Sequence, residues 1–185
     1  MDDKNLIKQC ARKNRLAQKM LFDKYYDRMY NLAMRLLLNH HDSEDVIIDS
    51  FRKVFDKISD FEHRGDNSFV KWLKTIVFNG CLKLINSRRP LQFEEDLSTS
   101  FDYVDEVNTD MLPIDIEEVY GIIENMSVGY RTIFNLYAIE GYTHKEIAEM
   151  LSISQNTSKS QLNRARKFII TELDKTKNYQ AYGTK

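Results

Sequence analysis

The chain has 185 residues, 42% of them hydrophobic, with 27 Lys and Arg set against 28 Asp and Glu for a net charge of −1. That length and apolar content support one large or two small cores, and six glycines with two prolines leave few breaks, which points to an all-α class. No run of eighteen apolar residues occurs and the opening MDDKNLIKQCARKNR lacks the apolar centre of a secretory signal, so the expectation is a cytoplasmic protein without direct membrane insertion.

In chain order, a short helix over about Asp3 to Lys13 precedes a longer one that starts after the cap-like Asn14. Leu21, Phe22, Tyr25, Tyr26, Met29, Tyr30, Leu32, Ala33, Leu36 and Leu37 give the long helix an apolar surface wide enough for two neighbours. Asn39-His40-His41 is read as its end. The adjacent His40 and His41 point in different directions and lack a surrounding ligand set, and Cys10 and Cys81 have no His or Cys at metal spacing, so neither metal nor cofactor is expected.

The next helix is expected from Asp42 or Ser43, with Glu44 and Asp45 favourably placed at the positive end of its dipole. Ile47, Phe51, Val54, Phe55 and Ile58 form a buried stripe, and Asp45, Asp49, Arg52, Lys53 and Asp56 face away. After a loop over Phe61 to Asn67, Ser68 opens a further helix that packs through Phe69, Trp72, Leu73, Ile76 and Val77. Lys71 and Lys74, followed by Lys83, Arg88 and Arg89, make a basic edge. Cations interleaved with aromatics suit a nucleic-acid backbone and unstacked bases, although a solvated surface would look the same.

Charge is segregated along the chain. Residues 1 to 90 carry a net +6, residues 91 to 129 carry −11 with no Lys or Arg, and residues 130 to 185 carry +4. Leu91 to Leu112 has little helical periodicity and reads as a flexible acidic linker, which divides the chain into a helical domain over 1–90, a linker over 91–112 and a second helical domain over 113–185. Such a segment can occupy a basic channel in place of nucleic acid, or serve solubility alone.

The last block contains GYTHKEIAEMLSISQNTSKSQLNRARK, Gly141 to Lys167, which reads as two short helices and a tight turn. Thr143 and Glu146 have capping-box spacing, Ser152-Ile153-Ser154 forms the turn, and Ala148 permits a close helix crossing. On the second helix Ser158, Leu162, Ala165 and Ile169 fall on one stripe facing the core. Asn156, Ser160, Asn163, Arg164 and Lys167 fall opposite, with Lys159 and Gln161 on the flanks and no carboxylate among them. These are side chains that read base edges and hold phosphates in a major groove; an amphipathic hairpin with a solvated face is the other reading.

Asp42-Ser-Glu-Asp-Val46, Ser68-Phe-Val-Lys-Trp-Leu73 with Asn79, the acidic linker, Gly141-Tyr-Thr-His-Lys-Glu-Ile-Ala-Glu149 and Arg164-Ala-Arg166, in this order, resemble the extracytoplasmic-function sigma factors of bacterial RNA polymerase. The resemblance covers nearly the whole chain. It implies a non-enzymatic factor with two helical domains, the first binding core RNA polymerase and melting the minus-ten element, the second reading the minus-thirty-five element of promoter DNA. It puts polymerase contact on Asp45, Ile48, Asp49 and Arg52. Minus-ten contacts fall on His63, Arg64 and Asn67 of the loop and on Lys71, Lys74, Asn79, Arg88 and Arg89, where a flipped base would be held by stacking and edge contacts. Upstream contacts fall on Asn156, Lys159, Ser160, Gln161, Asn163, Arg164 and Lys167. An anti-sigma factor, often membrane-bound in the family, is an implied partner.

Three positions depart from the family pattern: Ile48 in place of a polar glutamine, Ser158 in place of valine, and Gln161 in place of arginine. Ser158 lies on the core stripe, so its hydroxyl needs a backbone acceptor or costs roughly 1 to 3 kcal/mol. The rival readings are a helix-turn-helix transcription regulator that does not bind polymerase core, and a helical adaptor without DNA binding. An enzyme is least supported, since no nucleophile and base, paired carboxylates or phosphate loop stand at workable spacing.

Overall fold

The computed structural model describes residues 3–65, 67–88, 91, 93 and 116–182, with side chains from 119 to 175 in the last stretch. The chain divides into two compact units, residues 1–90 and 91–185. All regular structure among the described residues is helical. Apart from Leu91 and Phe93, the expected linker lies outside the described residues.

In the first unit α1 (Asp3–Ala11) packs on α2 (Arg15–Leu37), and α2, α3 (His40–Lys57) and α4 (Ser68–Arg88) pack mutually. Asn14 caps α2, its Oδ1 accepting from the amides of Leu16 at 3.0 Å and Ala17 at 3.1 Å. The helix stops at Leu38, which turns left-handed with φ 52° and returns its amide to the Met34 carbonyl. Asn39 then caps α3 by accepting from the Asp42 amide at 3.0 Å, so α3 begins earlier than the expected Asp42 or Ser43. His40 and His41 are its first turn. The competing signal was Asp42 itself, whose carboxylate is used elsewhere in the fold, which leaves the Asn39 side chain as the cap.

Leu21, Met29, Ile47, Phe51, Val54, Leu73, Val77 and Phe78 are fully buried at the centre of this unit, as the helical periodicity requires. Helices α3 and α4 cross closely at Gly80, where a Cβ would stand 3.0 Å from Val46 Cγ1 and 3.2 Å from Ser50 Oγ. Loop 61–67 is moored at its start because Phe61 lies 5.4 Å from Phe69 and 5.2 Å from Trp72, ring centre to ring centre.

In the second unit α5 (Ile116–Glu124), α6 (Val128–Phe134) and α7 (His144–Leu151) all pack against α8 (Gln155–Tyr182). Ile123, Met126 and Ala165 form a buried cluster closed by Val119, Tyr130, Phe134, Phe168 and Ile169. Arg131 is buried beneath the α5–α6 turn, donating from Nη1 to the carbonyls of Glu124 at 3.1 Å and Met126 at 3.2 Å. It thereby satisfies carbonyls that the end of α5 leaves over. Beyond α6 the backbone widens into a π turn, Asn135–Ile139, where the Glu140 amide reaches the Asn135 carbonyl at 2.9 Å. Gly141, at φ 76°, then redirects the chain into α7.

Candidate nucleic-acid interface

The hairpin of α7 and α8 is set by local chemistry. Thr143 Oγ1 accepts from the Glu146 amide at 3.2 Å and Glu146 Oε2 accepts from the Thr143 amide at 2.8 Å, a complete capping box. Ser152 ends α7 in the left-handed conformation, φ 55°, with its amide on the Ala148 carbonyl. Ser154 Oγ accepts from the Thr157 amide at 2.9 Å and so starts α8. Both serines serve as caps, as their positions predict.

Across the turn, His144 Nδ1 lies 2.9 Å from Ser158 Oγ. The Ser158 hydroxyl therefore meets an imidazole rather than the backbone acceptor expected for it. The His144 ring also stacks on Tyr137 of the π turn, at 4.5 Å between centroids, and Arg166 lies 5.9 Å over the Tyr137 ring. Burial holds the His144 imidazole below its ordinary pKa, and the charges of Lys159 and Arg166 add to that effect.

Of the seven residues expected to read the upstream element, Asn156, Lys159 and Lys167 are exposed, and Asn163 and Arg164 are half-buried. Ser160 and Gln161 are not on the surface. Gln161 is 2% exposed and Ser160 donates to the Thr157 carbonyl at 3.1 Å. The correction has a packing cause: α8 is covered by α7 on one side and by α5 and α6 on another, so its buried arc is wider than the single stripe of Ser158, Leu162, Ala165 and Ile169. Arg166, exposed and not among the expected site residues, joins Lys159, Asn163 and Lys167 on the outer side. Its position one residue beyond the buried Ala165 was the available signal.

In the first unit, the loop after α3 has its own turn hydrogen bonds. Ser68 Oγ accepts from the Arg64 amide at 3.3 Å and lies 3.1 Å from His63 Nδ1, while Arg64 Nη2 donates to Glu62 Oε2 at 3.0 Å. Gly65 at φ 100° and Asn67 at φ 62° provide the left-handed residues that the loop needs. His63, Arg64, Asn67, Lys71 and Asn79 are exposed and Lys74 is half-buried. Lys71, Thr75, Asn79 and Lys83 follow one another at four-residue steps along α4, which places cations and an amide on one flank.

Arg88 is exposed at the end of α4, as the basic edge suggested, and is also engaged in an ion pair. Its guanidinium grips Asp42 with both nitrogens, Nη2 donating to Oδ1 at 2.6 Å and Nη1 donating to Oδ2. This fork joins the end of α4 to the start of α3, and hydrogen bonding to Arg88 holds the Asp42 carboxyl below its usual range. Arg89 lies outside the described residues.

Asp45, Ile48, Asp49 and Arg52 are all exposed on the outer side of α3. Asp49 accepts from Arg52 at 3.3 Å, and His41 lies 3.9 Å from Asp45. Ile48, at 60% exposure, is a large apolar side chain among charges, a composition that suits a docking face.

Comparison with known proteins places both units in one family context. Residues 21–90 match the family model described as Sigma-70 region 2, and residues 116–169 match Sigma-70, region 4. The chain is 27% identical over 180 residues to the ECF RNA polymerase sigma-E factor of Haemophilus influenzae, covering 91% of this chain and 94% of that protein. It is 26% identical over 181 residues to the ECF RNA polymerase sigma factor SigW of Bacillus subtilis, covering 92% and 96%. Among solved structures it resembles CnrH in complex with the cytosolic domain of CnrY, with a TM-score of 0.57, 24% identity and coverage of 93% and 97%. It also resembles the sigma factor RpoE of Bartonella quintana in complex with the anti-sigma factor NepR, at TM-score 0.57, 20% identity and coverage of 84% and 96%.

Proposed function

This chain belongs to the extracytoplasmic-function sigma factors, and from that premise we propose that it binds core RNA polymerase and directs promoter-specific transcription initiation through DNA contacts by both units. A factor of this kind is not an enzyme: polymerase supplies the bond-forming chemistry, and the factor supplies binding and strand separation. The observation that carries the reading is the pairing, in one chain, of a region 2 helical unit with a region 4 helix-turn-helix whose outer side presents Asn156, Lys159, Asn163, Arg166 and Lys167.

Within that function, the outer side of α3 is the polymerase-docking face, with Ile48 as an apolar anchor among Asp45, Asp49 and Arg52. Loop 61–67, moored by its aromatics yet exposed in its polar residues, suits capture of an unstacked base, with Lys71 and Asn79 along the adjacent strand path. Arg164, Asn163 and Lys159 suit base edges and Lys167 suits phosphate. Arg88 serves first as the brace for Asp42.

No described helix is long and apolar enough to cross a membrane, and action on polymerase implies a cytoplasmic site of work. The two solved neighbours were each captured with a partner, the cytosolic domain of CnrY and the anti-sigma factor NepR, which supports an anti-sigma partner here, membrane-anchored in one version of the reading.

Mixing the chain with bacterial core polymerase tests the function: stable association and promoter-dependent transcription are expected. DNA binding by the chain with no association to core would instead favour a helix-turn-helix regulator. Arg164→Ala is expected to lose about 1 to 3 kcal/mol on promoters with a strong upstream element while sparing association with core.

A further inference from the structure

A partly buried polar contact joins α7 to α8. Ser158 is completely buried, and its Oγ has His144 Nδ1 at 2.9 Å. His144 is the first residue of α7, Tyr137 stacks on its ring from the π turn, and Tyr137 in turn lies under Arg166. One imidazole thus contacts the element before the hairpin and the helix that reads DNA. We propose that His144 is the positioning residue of α8: its bond to Ser158 and its stacking on Tyr137 set the crossing of α7 and α8, and thereby the presentation of Lys159, Asn163 and Arg166 to the upstream element. The inference rests on the sigma-factor reading of the second unit.

The argument is geometric. A buried hydroxyl on a helix face can be satisfied only at a fixed distance and direction, so the Nδ1 to Oγ contact specifies a separation that apolar packing alone leaves adjustable. The ring must be neutral to sit there at least strain. Lys159 and Arg166 face it from α8, Tyr137 faces it from the π turn, and the amino end of α7 adds a positive dipole at His144 itself. Protonation of the ring places an imidazolium against these positive groups. Acidification therefore drives α7 and the basic residues of α8 apart, and reading weakens.

The test uses the full chain with core polymerase from pH 5.5 to 8, the readout being transcription from a promoter with a strong upstream element divided by that from one without it. The ratio for the unaltered chain should hold above about pH 6.5 and decline below it. His144→Asn, whose side-chain amide can reach Ser158 but neither titrates nor stacks on Tyr137, should lose the decline, whatever its ratio at pH 7.5. His144→Phe should keep the stacking and lower the ratio about three- to tenfold at every pH, and adding Ser158→Val should recover it by removing the orphaned hydroxyl. If His144→Phe unfolds the hairpin, the pH comparison between the unaltered chain and His144→Asn still decides. Equal decline in those two, an undiminished ratio in a folded His144→Phe, or a ratio that rises on acidification would overturn the proposal. If the unaltered chain shows no upstream-dependent transcription at all, the function itself fails and the inference with it.

Discussion

The two units use buried polarity differently. In the first, the buried polar and charged residues among those described are Asp42, Ser43 and Ser50, all on α3, and the rest of the interior is Leu, Ile, Val, Phe, Met, Ala and Cys with Tyr25. In the second, Arg131, Thr132, Asn135, Thr157, Ser158, Ser160 and Gln161 are buried, spread over α6, the π turn and α8. An apolar interior tolerates small adjustments at modest cost, whereas hydrogen bonds impose distance and direction. On the proposed roles, a melting unit needs stability beneath a loop and two flanks, and a reading unit needs one helix held at one angle. The distribution of buried polar groups follows that division.

The comparison breaks most readily at Phe51, which is 2% exposed and packs against Phe22 with ring centres 4.8 Å apart. Phe51→Ala is expected to remove about 3 to 5 kcal/mol from the first unit. Amide exchange of the full chain should show the loss in α2, α3 and α4 and not in α6 to α8. A loss spread equally through both units would mean that they do not fold independently.

The corresponding cut in the second unit is Arg131→Ala. It leaves the carbonyls of Glu124 and Met126 without their donor, at a cost of about 1 to 3 kcal/mol seen as faster exchange in α5 and α6. Unaltered exchange there would show that solvent replaces the guanidinium and that the polar interior is less demanding than described.

A smaller effect is expected on the docking face. Asp49→Lys reverses an exposed charge and breaks its 3.3 Å pair with Arg52, so association with core polymerase should weaken by roughly 1 kcal/mol with the circular dichroism spectrum unchanged. A native spectrum with undiminished association would remove this side of α3 from the interface.

The finest distinction is one of pH. His144 is held below its ordinary pKa, so the folded second unit binds fewer protons there than the unfolded chain does. Its contribution is complete above the unfolded value near 6.5 and is lost as pH falls through the folded one. Asp42 is likewise lowered, by Arg88, but as an acid its contribution is complete above the unfolded value near 3.8 and is lost only below it. Between pH 6.5 and pH 5 the second unit should therefore loosen while the Asp42 to Arg88 brace stays intact, which histidine and arginine side-chain NMR signals can follow separately. Loosening of the first unit in that range would contradict the assignment of the acid-sensitive group.

Sequence by itself determined the helical class, the break near the acidic segment, the Asn14 cap, the Thr143 and Glu146 capping box and the apolar stripe of α3, because each depends on residues within a turn or two of one another. Tertiary structure decided which polar residues remain at the surface. Arg88 stays exposed on the basic edge but is paired there with a carboxylate 46 positions away, whereas Ser160 and Gln161 left the reading side because α8 is covered on more than one flank. His144 gained its role from a serine 14 positions on. Helical periodicity gives the centre of a buried stripe but not its width, and width is set by how many neighbours a helix has, a quantity that no local spacing encodes.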